Sequence, residues 1–429
     1  MARIGLLGPG VPGHWNPTSC LARALQANGH VVIAFQLTYF EDAVRRSGME
    51  YCPIGEKLYP VSRMKESYAH VGRLEGRELL RYTISRFIEQ SEMYLCEGPE
   101  LVGRNGIDFL LVDQAEPAGA SIAERLGIPF VTISNALILD QEPGIPPLFT
   151  TWPYSPRFTA KIRNRVVNEL ANRMGKPLLR SINARRREWN LPEYGSLWES
   201  TSPIAHISQQ PACFDFPRQQ LPPQFHYTGP WHNPAARPEV PFPYEKLDGR
   251  QLIYASMGTI QNRVQEVFGD IAVACEGLDA QLVISLGGGA SPEQIDRLPG
   301  NPIVVPIAPQ LDLLARAALT ITHAGLNTVL ESLSHGVPMV AIPVGNDQPG
   351  VASRLKWVGA GEFLPIKQLN AARLKPLIRR VLGEPSYHRR AQEMMGRIKK
   401  ADGVRQAVEL IEGALTNNAQ SSGHLVHQA

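Results

Sequence analysis

Short apolar runs alternate with helix-like periodicity from the first residues of the chain. Residues 3–8 form an apolar run and residues 30–35 a β-branched run, both typical of buried strands. Between them, Pro17 suits the first turn of a helix, and Leu21 and Leu25 supply its apolar face. This strand–helix–strand order predicts a parallel sheet, in which functional loops lie at the carboxyl ends of the strands.

The same alternation continues along the chain. We predict strands at residues 108–112, 128–133, 251–256, 281–285, 303–305, 319–322 and 337–344, and helices at residues 75–96, 118–126 and 264–276. Because strands and helices alternate throughout, the predicted fold class is α/β, with two doubly wound Rossmann-like domains that face each other across a cleft.

A proline-rich segment interrupts the alternation. Residues 229–243 read GPWHNPAARPEVPFP, with five prolines among fifteen residues, which is typical of a stiff and extended connection. We therefore predict an amino-terminal domain at residues 1–228, a linker at 229–246, a carboxy-terminal domain at 247–400, and a carboxy-terminal helix and tail at 401–429.

Composition narrows the class of protein. Of the 429 residues, 43% are hydrophobic and 19% are charged, which argues against intrinsic disorder. The net charge of +3 argues against a nucleic-acid partner, and there is no run of about 18 apolar residues and no signal-like start. The five scattered cysteines are typical of reduced thiols, so we expect a cytoplasmic protein.

The basic charge is concentrated in one segment. Residues 157–188 contain ten Lys/Arg and two Asp/Glu. Apolar residues recur there every four positions, at Phe158, Ile162, Val166, Leu170 and Met174. Two interpretations stay open. One is an amphipathic helix that makes a peripheral contact with an anionic membrane, and the other is a surface helix whose apolar stripe packs inward.

The loop after the first predicted strand, GPGVPG at residues 8–13, matches the G-x-G-x-x-G pattern of dinucleotide-binding turns. However, Pro9 and Pro12 lack the N–H groups that pyrophosphate binding needs, and residues 30–38 contain no acidic residue for a ribose. A tight loop is therefore favoured over an NAD or FAD site, and a dinucleotide-dependent oxidoreductase is the less favoured function. The same loop leads to His14, at the mouth of the predicted cleft.

A denser motif lies where a predicted strand runs into a helix, at TITHAGLNT (residues 320–328). Gly325 permits close approach of a ligand, and the first helical turn presents N–H groups beside the Asn327 and Thr328 side chains. Such a helix start suits a diphosphate. Glu331 lies one turn further along, where a carboxylate can accept hydrogen bonds from ribose hydroxyls.

The loop after the next predicted strand carries Asp347 and Gln348, whose carboxylate and amide can bind vicinal sugar hydroxyls. The stretch HAGLNTVLESLSHGVPMVAIPVGNDQPGVASRL (residues 323–355) resembles the donor-binding signature of family 1 glycosyltransferases, which have the GT-B fold and use UDP-sugars. ASMGT (255–259) and APQLDLL (308–314) are similar to that family's second phosphate loop and its uracil-binding loop.

This resemblance implies how the donor is held. The implied donor-binding residues are Ser256, Gly258, Thr259, Ala308, Gln310, His323, Gly325, Asn327, Thr328, Glu331, Asp347 and Gln348. No D-x-D sequence occurs in the chain. The resemblance therefore implies neither a metal nor a cofactor, and UDP-glucose is the expected donor substrate.

Other segments resemble a carotenoid-modifying branch of the family, the bacterial zeaxanthin glucosyltransferases. These segments are VDQAEPAGA (112–120), QEPGIP (141–146) and residues 207–230. They imply inverting transfer of glucose to the terminal hydroxyls of a carotenoid, most simply zeaxanthin. Macrolide, sterol and flavonoid acceptors stay open as alternatives.

The resemblance also places the catalytic base at His14 and, at Asp113, the carboxylate that orients it. Both residues follow predicted strands of the first sheet, so they can converge although they are 99 positions apart. By position alone, Asp113 is equally suited to cap the following helix. The presence of both residues favours an enzyme over a non-catalytic UDP-sugar-binding protein.

Overall fold

The computed structural model describes residues 1–71, 74, 76–232, 239–258, 264–288, 292–295 and 297–426. Within these ranges the chain forms two parallel sheets, each flanked by helices. The five cysteines all lie within them, and no disulfide joins any two of these cysteines.

The amino-terminal sheet has the strand order β3-β2-β1-β4-β5-β6-β7. Its strands are β1 (Arg3–Leu7), β2 (Val31–Gln36), β3 (Glu50–Pro53), β4 (Phe109–Asp113), β5 (Phe130–Ser134), β6 (His206–Ser208) and β7 (Phe225–Tyr227). Its helices are α1 (Pro12–Ala27), α2 (Glu41–Arg46), α3 (Val61–Val71), α4 (Gly76–Arg104), α5 (Ala118–Leu126) and α6 (Phe158–Glu188). Every residue of β4 and β5 is buried, which explains their near-continuous apolar runs.

The carboxy-terminal sheet repeats this plan in the order β10-β9-β8-β11-β12-β13. Its strands are β8 (Gln251–Ser256), β9 (Ala280–Ser285), β10 (Ile303–Val305), β11 (Ala317–Thr322), β12 (Met339–Ala341) and β13 (Gly361–Phe363). Its helices are α7 (Val264–Cys275), α8 (Gln310–Leu314), α9 (Leu326–Ser334), α10 (Gln348–Trp357), α11 (Ala371–Gly383), α12 (Pro385–Ala401) and α13 (Gly403–Val426). The strand order reverses between β1 and β4 in one sheet and between β8 and β11 in the other, and such reversals open a crevice at the carboxyl ends of the strands.

Most predicted elements differ from the observed ones by one or two residues at an end, and three differ by three residues or more. The strand predicted at 337–344 is confined to β12, because Pro338 and Pro343 lack the N–H that a sheet ladder requires. The helix predicted at 75–96 continues as α4 past Pro99, since Val102 is fully buried in the core. The first helix begins at Pro12 rather than near Pro17, because a proline costs least at the start of a helix.

The last helix of the chain packs on the amino-terminal sheet. Ala407 and Ile411 of α13 lie in one hydrophobic cluster with Leu21 and Leu25 of α1. The carboxy-terminal helix therefore joins the first half of the molecule, after the chain has crossed the predicted linker at 229–246 and built the second sheet. Residues 233–238 of that linker lie outside the described part of the chain.

A buried ion pair connects the two halves. Arg354 of α10 donates from Nε to Asp215 Oδ1 at 2.7 Å, and both side chains are 2% exposed. Arg218 Nε donates to the other oxygen of Asp215 at 2.8 Å. Because α10 begins directly after Asp347, this pair holds the loop that carries Asp347 against the first half of the chain.

Candidate active site

The reversal between β1 and β4 positions the first two candidate residues. Register pairs Leu7 with Val112, so the residues that follow these two strands meet at one edge of the sheet. His14 stands in the first turn of α1, and Asp113 is the last residue of β4. Their side chains meet, with His14 Nδ1 lying 2.8 Å from Asp113 Oδ2.

Asp113 is held on both of its oxygens, and its side chain is 3% exposed. Oδ1 accepts from the Ala115 N–H at 2.8 Å, and Oδ2 accepts from Asn135 Nδ2 at 2.6 Å. The helix after Asp113 starts at Ala118 with Pro117 at its cap position, so Asp113 is not the helix cap that its position allowed. The sequence analysis did not select Asn135. The feature that could have identified it is its position directly after β5.

The charge around His14 favours its protonated form. Burial opposes protonation, but the negative charge of Asp113, its hydrogen bond, and the charge of Asp347 outweigh burial and raise the pKa of His14 above 6.5. An ionised carboxylate accepts hydrogen bonds but cannot donate one, so in the contact with Asp113 the ring hydrogen lies on His14 Nδ1. The neutral ring then has its lone pair on Nε2.

A pocket lies beside this pair. It is lined by Leu6, Leu7, Gly8, Pro9, His14, Trp15, Thr18, Ala34, Gln36, Leu111, Asp113 and Ile133. Most of these side chains are apolar, so the His14 ring lines a partly apolar pocket.

The reversal between β8 and β11 positions the donor-side residues in the same way. Register pairs Ser256 with Thr322, so Gly258 and His323 emerge side by side. The His323 ring is enclosed by two glycines: a Cβ on Gly258 would lie 2.7 Å from it, and a Cβ on Gly325 would lie 2.6 Å from its Nε2. Ala324, which lies between His323 and Gly325, has φ of 66°, a left-handed conformation uncommon outside glycine, so the backbone is constrained at this turn.

His323 is uncharged at neutral pH. Burial lowers its pKa to about 4, and the hydrogen bond to the Ser256 backbone only partly opposes this. Its Nδ1 is buried without a hydrogen-bond partner among the described residues. The His323 ring lies just before the start of α9, is neutral, and has a polar atom without a protein partner among the described residues. It is therefore suited to hydrogen-bond with a polar ligand.

Asn327 bridges the two halves of the molecule. Its Nδ2 donates to the Gly13 carbonyl at 2.6 Å, and its Oδ1 accepts from Gln209 Nε2 at 2.8 Å. The Gly13 carbonyl is available because Pro17, four residues later in α1, has no N–H to donate to it. Thr328, the next candidate residue, is buried in the first turn of α9.

The candidate uracil contacts form a hydrogen-bonded chain. Tyr254 donates to Gln310 Oε1 at 3.0 Å, and Gln310 Nε2 donates to Glu331 Oε2 at 2.5 Å. Glu331 is buried, and this bond orients its carboxylate. Ala308 is also buried, two residues before α8. Thr259 lies outside the described residues.

The loop before α10 reaches across the cleft. Asp347 Oδ2 accepts from the Leu137 N–H at 3.1 Å, and burial raises the pKa of Asp347 above 3.8. Gln348 Oε1 accepts from the N–H groups of Val344 and Gly345 at 2.9 and 3.2 Å. Asp347 also lies close enough to His14 for its charge to raise the pKa of that ring, whereas the Gln348 carbonyl holds the loop itself. In the described residues no group of three or more His, Cys, Asp or Glu side chains is arranged to hold a metal ion.

Comparison with known proteins gives consistent findings for sequence and fold. The family "UDP-glucoronosyl and UDP-glucosyl transferase" matches residues 102–405. The zeaxanthin glucosyltransferase of Pseudescherichia vulneris is 31% identical, over 98% of this chain and all of the relative. The 4'-demethylrebeccamycin synthase of Lentzea aerocolonigenes is 26% identical, over 94% of this chain and 96% of the relative.

Solved structures match along nearly the full chain. The glycosyltransferase of kitacinnamycin aligns with a TM-score of 0.73 at 21% identity, covering 96% of this chain and 98% of that one. SsfS6 of Streptomyces sp. SF2575, complexed with thymidine diphosphate, aligns with a TM-score of 0.63 at 18% identity, covering 95% and 100%. The predicted GT-B architecture of two doubly wound domains is therefore confirmed.

Proposed function

Because the chain belongs to the UDP-glucoronosyl and UDP-glucosyl transferase family, we propose that it transfers glucose from UDP-glucose to a terminal hydroxyl of a carotenoid, with inversion at the sugar. Zeaxanthin is the proposed acceptor, and its two hydroxyls permit one or two transfers. The observation that carries the proposal is the His14–Asp113 pair, which faces Asp347 across the cleft.

The proposed reaction needs one base and a stabilised leaving group. His14 Nε2 takes the proton of the acceptor hydroxyl while that oxygen forms a bond to the anomeric carbon. The bond from this carbon to the diphosphate breaks, and its electron pair leaves with UDP. Asp113 stabilises the imidazolium that forms, and no metal or cofactor takes part in the proposed step.

The leaving diphosphate is assigned to the start of α9. The N–H groups of its first turn, together with His323, Thr328 and Ser256, supply polar atoms at the positive end of the helix dipole. Gly258 and Gly325 belong to the same site because they leave room for the His323 ring. Asn327 is assigned here as well, and donor binding would then exchange its contact with Gly13 for one with the diphosphate.

Glu331 and Gln310 are assigned to the nucleoside, with the Ala308 backbone facing uracil and the Glu331 carboxylate facing the ribose. Asp347 and Gln348 are assigned to the glucose hydroxyls. Asp347 accepts one backbone hydrogen bond at 3.1 Å, and an ionised carboxylate has room for more. Because the charges of Asp347 and His14 act on each other across the cleft, we assign the sugar to the space between base and diphosphate, as an inverting displacement requires.

The acceptor assignment rests on relatives of this chain. Two relatives called zeaxanthin glucosyltransferases, from Pseudescherichia vulneris and Pantoea ananas, match this chain at 31% and 29% identity. A relative named for demethylrebeccamycin synthesis matches at 26%, so another lipophilic acceptor is the alternative.

Mass spectrometry of reaction mixtures tests the proposal. The enzyme is incubated with UDP-glucose and, separately, zeaxanthin, β-cryptoxanthin and a macrolide. We expect one or two added hexoses on zeaxanthin and one on β-cryptoxanthin, which has a single hydroxyl. Hexose on the macrolide alone would support the alternative acceptor, and dTDP-glucose in a parallel series tests the choice of nucleotide.

Substitution of Gly325 by alanine is expected to weaken UDP binding by roughly 10- to 100-fold, the equivalent of about 1–3 kcal/mol of overpacking. Gly325 has φ of −62°, which alanine adopts freely, so the effect comes from the His323 ring that a Cβ would displace. Calorimetric titration with UDP measures the affinity. Gly396→Ala on α12 is the matched control, because its Cβ would meet nothing within 4 Å. Equal affinity in both variants would contradict the assignment.

The acid limb of the pH profile is expected to depend on Asp113. A general base works only when it is neutral, so kcat/KM should be lost as pH falls through the pKa of His14, which lies above 6.5. Asp113→Asn removes the charge that raises this pKa, so its acid limb should move to lower pH while its plateau falls. Profiles of kcat/KM for both enzymes measure the shift, and superimposable acid limbs would refute the pairing.

A further inference from the structure

The first half of α6 carries its apolar stripe on the outside. The large apolar side chains exposed there are Phe158, Ile162, Val166, Leu170 and Met174, with between 43% and 76% of each residue accessible. The sequence left two orientations open for this stripe, and the structure shows that it does not pack inward. A contiguous row of exposed apolar residues indicates an interaction surface, whereas isolated exposed apolar residues are common on any protein.

Polar contacts on the opposite side fix this orientation. The buried residues of the first half of α6 are Ala160, Asn164 and Asn168. Asn164 Nδ2 donates to the Pro143 carbonyl at 3.1 Å, and Asn172 and Gln141 exchange hydrogen bonds at 2.9 and 3.0 Å. Rolling the helix to bury the stripe would break these bonds, so the outward position of the stripe is built into the packing.

The second half of the same helix is oriented in the ordinary way. Leu178 and Ile182 are buried in the core beneath the amino-terminal sheet. Arg186 is also buried, and its Nη2 donates to Glu124 at 2.6 Å. One helix therefore combines an anchored carboxy-terminal half with an amino-terminal half whose apolar side is left exposed.

Basic side chains accompany the stripe. Residues 157–176 contain six Lys/Arg and a single acidic residue, Glu169, which pairs with Arg173 at 3.3 Å. Arg157, Lys161, Arg165 and Lys176 are exposed. With about 3.6 residues per turn, Lys161, Arg165 and Lys176 lie along one flank of the stripe. An apolar stripe beside a basic flank is the pattern of helices that lie in a membrane interface.

We propose that residues 158–176 of α6 form a docking surface for the anionic face of a lipid bilayer, with the stripe entering the acyl boundary and the basic flank contacting headgroups. Charge selects this partner over a second copy of the chain, because a two-fold contact through this face would bring its basic flanks together. Among the described residues no helix meets the length and apolarity needed to cross a bilayer, so the contact is peripheral.

The docked face lies beside the segment that enters the site. Gln141 and Pro143, which bond to α6, belong to the stretch between Leu137, whose N–H donates to Asp347, and Leu148, whose carbonyl accepts from the Gly350 N–H at 2.8 Å. The proposed membrane contact therefore lies beside a stretch that hydrogen-bonds to both halves of the molecule. The surface itself does not depend on which acceptor the enzyme uses.

Flotation with vesicles tests this surface on the full chain. We expect the protein to float with vesicles that contain phosphatidylglycerol at low salt, and not with pure phosphatidylcholine vesicles. Lys161→Gln/Arg165→Gln/Lys176→Gln should lower partitioning on the order of 100-fold, since each surface Lys or Arg contributes about 1 kcal/mol. Ile162→Ser/Val166→Ser/Leu170→Ser should lower it as well, without changing net charge.

The matched control is Arg389→Gln/Lys399→Gln/Lys400→Gln, which removes three exposed positive charges from α12 and should partition like the unchanged protein. UDP affinity, measured on every variant, should stay constant. This measurement separates the two proposals, because UDP affinity tests the donor site whereas vesicle partitioning tests the α6 surface. Partitioning of the α6 variants equal to that of the control would overturn the proposal. So would a dimer that the serine variant dissociates, because the stripe would then be covered by a second copy.

Discussion

Replacing His14 by alanine is expected to lower kcat for glucosyl transfer by about 10²–10⁴-fold, the usual contribution of a general base. The loss follows from the geometry, because Asp113 holds His14 Nδ1 at 2.8 Å, which leaves Nε2 as the ring nitrogen that can take up a proton. UDP affinity should be unchanged, since the donor residues lie on the other sheet. Transfer rates with saturating UDP-glucose, together with UDP titrations, measure the two quantities.

His388→Ala provides the control, because His388 is exposed on α12 and is not among the residues assigned to the site. It should retain both transfer and UDP affinity. Full transfer by the His14 variant would remove His14 as the base, whereas loss of UDP binding in the same variant would indicate a structural role.

Replacing Asp215 by asparagine is expected to lower the free energy of unfolding by about 3–5 kcal/mol, the cost of leaving a buried charge without its partner. Burial alone would raise the pKa of Asp215, but Arg354, Arg218 and the Tyr227 hydroxyl hold it well below 3.8. This stabilisation is present above the pKa of the unfolded chain and is lost as pH falls through the lower pKa of the folded state. Urea unfolding at neutral pH measures the loss.

Asp248→Asn is the matched control, because Asp248 also pairs with an arginine but at the surface. Its variant should unfold close to the unchanged protein, since exposed pairs contribute little. Equal unfolding of the two variants would show that the buried pair does not hold the domains. Residual transfer by Asp215→Asn at low temperature would separate instability from damage to the site.

Nine strands were predictable because both faces of each parallel sheet are covered, whereas the short strands β3, β6, β7 and β13 were not predicted. Such strands need apolar residues at nearly every position, and β8 and β10 begin and end where the sequence pattern does. The limits of β12 and α4 were less predictable. Pro343 has no N–H for a ladder hydrogen bond, and burial of Val102 stabilises a helix that contains a proline. Residue propensities alone do not predict either limit.

The candidate site likewise contains residues that the sequence could indicate and residues that only the fold brings together. His323, Gly325 and Asp347 could be chosen from one stretch of sequence, because a strand end followed by a helix start is a local pattern. Asn135, which donates to Asp113, and Gln209, which donates to Asn327, come from distant segments. Each stands just after a strand of the first sheet, and only the strand order shows which neighbours they meet.

By itself, the sequence determined the fold class, because that depends on the apolar periodicity of alternating strands and helices, and its resemblance to a known family suggested which residues could take part in glycosyl transfer. The tertiary structure decided which way helix α6 faces and which charges are joined, as with Asp215 and Arg354. The four-residue spacing of its stripe is the same whether the stripe is buried or exposed. Its orientation depends on bonds such as that of Asn164 to the Pro143 carbonyl, and these form only once distant segments have packed together.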